Sequence, residues 1–368
     1  MSRATEIYPY RKAILSVREK IKNDPHNSAT LERYYSARVA EGISPARIHK
    51  CLCTMSKISK VFGMPFEQAA KDDIVRLVAS LESEDLADWT KRDYRVVLKH
   101  FYKWLRNWED GTPPEVRWIK KTRGAENKRP ILPKDLLTLE EKLALLKATR
   151  HPRDRALLEV FMESGRRLGE ILTLHIGDVE FDEKGARLSI HGKVGNDFSR
   201  IISSAPALAI WLNQHPLRED PHAPVWVDIV GKNRDRQMPY SGAVTILRNR
   251  AKEAGIKKRI HFYLFRHTRI DESQEILTES QQCNMFGWRY GSNMPGTYMK
   301  RYAKHIDNAQ MLMNGLMPET GHIRSMNSKT CLRCNMVHSM ASKFCTNCGM
   351  PLDLKFSDFD NQIIVQSH

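Results

Sequence analysis

Three separated segments of this 368-residue chain gather side chains suited to phosphoryl transfer. In Glu163-Ser164-Gly165-Arg166-Arg167-Leu168-Gly169-Glu170, a glycine breaks one helix and an arginine pair opens the next. Glu170 lies three residues after Arg167 and four after Arg166, so on a helix it can brace either guanidinium. Lys193 stands alone at the mouth of an expected hairpin. The run His261-Phe262-Tyr263-Leu264-Phe265-Arg266-His267-Thr268-Arg269 places cations in an aromatic and apolar stretch. Arginine suits this work because its planar fork donates two parallel hydrogen bonds to a phosphate and keeps its charge.

A fourth constellation is metal-ligating. Cys331-x-x-Cys334, ten residues, then Cys345-x-x-Cys348 can close four thiolates on one ion, tetrahedrally and at about 2.3 Å for zinc. A segment this short cannot bury enough apolar surface to fold without such a staple. His338 is a spare ligand, and Lys343-Phe344 and Gly349 around the second pair resemble a zinc ribbon knuckle. Arg333 and Lys343 could touch DNA, or the module could dock another subunit. The other cysteines, Cys51, Cys53 and Cys283, have no partner spacing, which argues against a disulfide framework. Cys51 and Cys53, two apart on a helix, face different ways and read as packing residues.

These groups need elements to position them. Ser44-Pro45 caps a helix that carries Ile48, Leu52, Met55, Ile58 and Phe62 at helical spacing until Gly63 stops it. A second helix is expected from Thr90, with Asp93 three residues on as a capping box, and Tyr94, Val97, Phe101 and Leu105 on one face. Its other face holds Lys91, Arg92, Arg95, Lys99, Lys103 and Arg106 with almost no acid, and is read as leaning toward a polyanion. Thr112-Pro113-Pro114 and the basic stretch from Arg117 to Lys134 look like a linker, either a flexible connector or a segment lying along a phosphate backbone. Helices follow around Glu140 to Thr149, Asp154 to Ser164 and Arg166 to Leu174. Ala186 to His191 and Ser199 to Ser203 then read as a hairpin turning at Val194-Gly195-Asn196-Asp197. Helices resume to about Leu316. The expected class is mainly α with a small β-hairpin or sheet (α+β).

The length favours several domains. With 59 Lys and Arg against 43 Asp and Glu, the formal net charge is +16 and the isoelectric point is near 9.5, which points to a polyanionic partner. No stretch approaches the roughly 20 apolar residues of a spanning helix, and MSRATEIYPYRK has no apolar signal core, so a soluble intracellular protein with no membrane partner is expected.

In order along the chain, the boxes resemble the tyrosine recombinase (phage integrase) family, and its archaeal-type members in particular. Gly165, Arg167, Gly169 and Glu170 resemble its first arginine box. His191-Gly192-Lys193 resembles its hairpin lysine, and Leu264-Phe265-Arg266-His267-Thr268 its second arginine box. Met285-Phe286-Gly287-Trp288 resembles the box that carries histidine or tryptophan, and Gly291 to Tyr298 the archaeal-type segment leading to the nucleophile. The resemblance covers roughly residues 25–316.

The resemblance implies a helical core-binding domain (1–110), a basic linker (111–135), a catalytic domain (136–316), a zinc ribbon (329–353) and a tail (354–368). It implies that Arg167 and Arg266 clamp a scissile phosphate, Glu170 supports them, Lys193 protonates the leaving 5′ oxygen, Trp288 packs on or hydrogen-bonds near the phosphate, and Tyr298 attacks. The phenol loses its proton as it attacks, and the guanidinium pair offsets the charge that builds on phosphorus. The phosphotyrosine linkage preserves the energy of the broken ester, so catalysis requires no metal or ATP. Double-stranded DNA is the implied partner, with a tetramer on paired sites and a cytoplasmic, nucleoid-associated location.

Two departures stand out. Where many relatives have histidine three residues before the second arginine, this chain has Tyr263, with His261 two residues further back. Tyr263 has the right spacing to Arg266, and His261 stays open as the alternative. Trp288 and Tyr298 are ten apart where nine is commoner, which leaves Tyr290 and Tyr302 as rival nucleophiles. Two other functions compete: a type IB topoisomerase-like enzyme of the same chemistry, and a non-catalytic DNA-binding zinc-ribbon protein with a decayed active site.

Overall fold

A computed structural model describes residues 7–120, 133–192, 195–231, 234–274, 276–292 and 294–295, and, toward the C-terminus, 310–311, 313–316, 329–331, 334, 336–338, 342–347, 350 and 352. It is mostly helical with a small sheet, an α+β fold. The chain divides into two compact units: Pro9–Pro130, and Met1–Tyr8 together with Ile131–His368.

The Pro9–Pro130 unit is built of helices α1 (Tyr10–Lys22), α2 (Ser28–Ala40), α3 (Pro45–Phe62), α4 (Lys71–Ser83), α5 (Asp88–Leu105) and the short α6 (Pro114–Arg117). Pro45 opens α3 where the missing N–H costs nothing, and Gly63, in the left-handed region at φ 67°, closes it. The apolar stripe read from the sequence is the core: Ile48, Leu52, Met55 and Ile58 are buried against Tyr34, Phe66, Phe101 and Tyr102. Cys51 belongs to that core while Cys53 is half-buried beside His49. Val116 and Ile119, inside the expected linker, are buried in the same core, because α6 gives the segment apolar anchors that a residue count overlooks.

Two expectations for α5 need correction. The helix starts at Asp88, not Thr90, and Asp93 pairs with Lys50 at 2.7 Å instead of forming a capping box. Four of the six cations on its basic face are engaged within the unit. Arg95, 7% exposed, pairs with Glu82, and Lys91 donates to the Glu82 carbonyl. Lys99 donates to the Ile119 carbonyl, while Arg106 pairs with Glu115 and donates to the Glu67 and Ala69 carbonyls. The acids that pair with Arg95 and Arg106 come from its neighbours, Glu82 and Glu115.

The other unit packs α7 (Leu139–Ala148), α8 (Pro152–Ser164), α9 (Leu168–Leu172), α10 (Ala205–Asn213), α11 (Tyr240–Glu253) and α12 (Phe262–Ser273) around one core, with α13 (Glu279–Phe286) beyond. Thr138 and Glu141 form the reciprocal cap of α7. A three-stranded antiparallel sheet runs β1 (Val179–Asp182), β2 (Gly185–Gly192), β3 (Gly195–Ile201), so β1 is a strand the sequence reading missed. The β2–β3 pairing continues to Gly192 opposite Gly195. Asn196 and Asp197, expected in the turn, are strand residues, and only Lys193 and Val194 lie between the paired ends. Asn and Gly signalled a turn correctly in kind but two residues off in place. Ile7 is buried in this unit's core, and Tyr8 stacks on Tyr240 at 5.0 Å.

Candidate functional site

The site forms where α8 ends. Gly165 closes that helix at φ 58°, and a Cβ there would lie 2.8 Å from the Phe286 ring and 2.9 Å from Arg269, so no larger residue fits. Glu163, just before it, accepts from the backbone N–H groups of Ile202, Ser203 and Ser204 and from the Ser204 hydroxyl. This buried carboxylate fastens the end of β3 and the start of α10 to α8. Nothing in its sequence context distinguished it from a surface acid.

Arg167 is the N-cap of α9 and is exposed. Its Nη1 donates to Glu170 Oε1 at 2.7 Å and to the Gly287 carbonyl at 3.2 Å, and its backbone N–H donates to Glu170 Oε2. Glu170 thus braces Arg167 alone. Arg166 is buried and is bonded to Asp197, to the Phe198 carbonyl and to the Asn284 carbonyl.

Arg266 lies in α12, 2% exposed, and donates to the Gly165 carbonyl at 3.0 Å and the Phe286 carbonyl at 2.7 Å. Its guanidinium stands 5.5 Å from the Trp288 ring centroid and 5.5 Å from that of Phe286. Trp288 is itself buried, in a small cluster with Ile270, Cys283 and Phe286, and serves as a floor under Arg266.

Three guanidinium groups therefore converge on the C-terminal end of α13, where carbonyls lack helical partners and the helix dipole is negative. Gly287 makes the approach possible. It holds φ 58°, and a Cβ there would sit 3.0 Å from Arg166 Nη1 and 3.6 Å from Arg167 Nη1. The sequence showed a glycine before tryptophan but not that two cations crowd against it.

Tyr263 is 51% exposed, three residues before Arg266 on α12, with its ring edge-on to His267 at 4.2 Å. His261 is the N-cap of that helix, its Nδ1 accepting from the Leu264 N–H at 3.1 Å. Burial, and then the Arg259 charge, lower the His261 pKa, so the imidazole remains a neutral acceptor. Tyr290 is exposed and donates to Asn284 Oδ1 at 2.6 Å. Lys193, Tyr298 and Tyr302 lie outside the described residues.

At the C-terminus β4 (Lys329–Thr330) pairs with β5 (Val337–His338). The sulfurs of Cys331, Cys334 and Cys345 lie within 4.8 Å of one another, a group that could hold a metal ion. Each CxxC loop is closed by a backbone bond, Cys331 N–H to the Met336 carbonyl and Cys345 N–H to the Met350 carbonyl. His338 is buried with Nε2 at 3.2 Å from Cys345 Sγ, yet among the described residues it is not in the close group. Cys348 and Arg333 lie outside the described residues.

Comparison with known proteins adds the following. The model of the phage integrase family matches residues 135–272, a span that takes in Arg167, Lys193, Tyr263 and Arg266 and stops before Trp288 and Tyr298. The tyrosine recombinase XerC of Chlamydia caviae is 30% identical over 191 residues, covering 47% of this chain and 56% of that protein, so the chain spans little more than half of that relative's length. Among solved structures, the XerH site-specific recombinase bound to palindromic difH substrate, a post-cleavage complex, overlays with a TM-score of 0.57 at 15% identity, covering 83% of this chain and 97% of that one. A lambda integrase tetramer bound to a Holliday junction gives 0.55 at 15% identity, covering 71% and 77%. At such identity these two speak for the fold.

Proposed function

We propose that the chain is a tyrosine recombinase, a site-specific enzyme that cuts and rejoins duplex DNA through a 3′-phosphotyrosyl bond; the match of residues 135–272 to the phage integrase family supports this. The observation that carries the reading is the convergence of Arg167 and Arg266 on one helix end, braced by Glu170 and floored by Trp288. In this reading, Arg167 is the exposed half of the clamp and meets a non-bridging phosphate oxygen directly. Arg266 acts from below. It donates to the carbonyls of Gly165 and Phe286, which fixes the plane of its guanidinium at the end of α13.

Tyr298 attacks phosphorus, and its proton leaves as the bond forms. The clamp offsets the charge on the pentacoordinate centre, Tyr263 holds or relays a proton, and Lys193 delivers one to the departing 5′ oxygen. The ester exchange conserves bond energy, so this step draws on no metal or ATP. The chain's +16 charge supports DNA as partner, and neighbours of the same fold bound to a difH site and, as a tetramer, to a Holliday junction support assembly on paired sites. We assign the Pro9–Pro130 unit to core binding and the other unit to catalysis. We assign residues 329–353 to a zinc ribbon in which Cys331, Cys334, Cys345 and Cys348 hold one structural zinc. The run Gly291 to Tyr298 supports the archaeal type. Among the described residues no helix is long and apolar enough to cross a membrane.

A nicked suicide substrate, which loses a short fragment on cleavage, tests the reading. It should trap a protein–DNA adduct without added metal or ATP, and Tyr298→Phe should abolish it. An adduct that survives Tyr298→Phe would move the nucleophile to Tyr290 or Tyr302. No adduct from the unsubstituted chain on a verified binding site would leave a non-catalytic DNA-binding protein.

A further inference from the structure

Arg166 and Arg167 are neighbours in sequence and opposites in the fold. Arg167 faces solvent, whereas Arg166 is 1% exposed. We infer that Arg166 is a positioning residue that pins the β2–β3 hairpin to the catalytic centre. The inference rests on the proposal that the hairpin lysine serves as general acid.

The geometry is specific. Arg166 Nη2 donates to Asp197 Oδ2 at 2.7 Å, to the Phe198 carbonyl at 2.8 Å and to the Asn284 carbonyl at 3.1 Å. Its acceptors belong to β3 and to α13, and Arg166 itself belongs to the loop that presents Arg167. One guanidinium thus joins the strand beyond the hairpin turn, the helix that leads to Trp288, and the first arginine box.

A buried cation is costly without a partner, and Asp197 supplies the charge that keeps Arg166 inside. The opposite strand is held separately: His191 Nε2 meets Asp178 Oδ1 at 3.1 Å, and Asp178 Oδ2 accepts from the His175 N–H at 2.8 Å. Both strands are therefore anchored close to the Gly192–Gly195 pair, the last described rung before Lys193.

The chemistry makes this testable. As the Tyr298 oxygen bonds to phosphorus, the bond from phosphorus to the 5′ oxygen breaks, and that oxygen takes the electron pair and a proton from Lys193. If the bridging oxygen is replaced by sulfur, the leaving group departs as a stable thiolate and needs no proton. A variant that only misplaces the acid is then rescued, whereas one that damages the clamp is not.

The experiment uses the full chain and single-turnover cleavage of paired suicide substrates, one ordinary and one with a 5′-bridging phosphorothiolate. Arg166→Leu should slow the ordinary substrate by up to the roughly 10²- to 10⁴-fold that loss of a general acid costs. It should recover to near the unsubstituted rate on the sulfur substrate, as Lys193→Ala should too. Arg167→Ala should stay slow on both. Asp197→Asn, which leaves Arg166 in place and removes only its charged partner, should show the same split at smaller size and guards against a folding defect in Arg166→Leu. Equal slowing of Arg166→Leu on the two substrates, or cleavage of ordinary DNA at the unsubstituted rate, would overturn the inference while leaving the recombinase reading intact. Failure of Lys193→Ala to recover would instead remove the general-acid premise and the inference with it.

Discussion

Tyr263 and His261 compete for one role, and their surroundings separate them. Tyr263 is half in solvent, one helical turn from Arg266, whereas His261 holds the N-terminus of α12 through its Nδ1. Tyr263→Phe should therefore slow adduct formation by about 10²- to 10⁴-fold if the hydroxyl moves a proton, with the melting temperature and DNA affinity unchanged. His261→Ala should do the reverse, costing about 0.5–2 kcal/mol of stability as a lost helix cap and little cleavage. Melting curves and single-turnover rates on both variants decide it, and the opposite ranking would place His261 at the phosphate. The residue types of the clamp could be read from the sequence because arginine, glutamate and their helical spacing are local. Spacing alone did not tell the two arginines apart, since Glu170 suits both; only the resemblance singled out Arg167, and the burial of Arg166 depends on Asp197, 31 residues away in sequence.

Elements whose cause is local were readable: the proline start and glycine stop of α3, and the existence of the hairpin. Those decided by partners were not. The basic face of α5 looked free because its acids, Glu82 and Glu115, sit on the preceding helix α4 and the following α6. Strand β1 is only Val179–Asp182, too short to show an alternating pattern, and it exists because β2 lends it a ladder. The cysteine module lies at the other extreme, since spacing alone announced it. Three of its thiols close to within 4.8 Å in a segment with two-residue strands and little apolar surface of its own. Purified protein should carry one zinc per chain, and Cys345→Ser with Cys348→Ser should remove it and unfold this module without lowering the melting temperature of the rest. Metal analysis before and after the double substitution checks this, and an unchanged ratio would put the zinc elsewhere.

At the scale of the molecule, the unit assigned to catalysis is discontinuous in sequence. Its core takes Ile7, fully buried, from a segment with no apolar run, and then Pro9 begins the other unit. A Cβ built on Gly169 would lie 3.7 Å from Ile7 Cδ1 and 3.8 Å from the Tyr8 hydroxyl, so these two residues cover the helix whose first turn carries Arg167 and Glu170. One apolar residue before a Tyr-Pro pair has no periodicity to mark it as core, which is why the sequence did not reveal this contact. The consequence is a stability effect far from any expected boundary. Ile7→Ala should cost about 2–5 kcal/mol, the range for truncating a buried aliphatic side chain, and that loss should fall on one unit only. Hydrogen exchange should read it as faster exchange of the amides of Leu168–Leu172 and Tyr240–Glu253, with those of Pro45–Phe62 unchanged. A fragment starting at residue 131 should show the same weakening, since it lacks Ile7 altogether, and restoring residues 1–8 in the full chain should reverse it. If exchange quickens equally in both units, Ile7 is not a private part of the catalytic core and the discontinuous assignment fails.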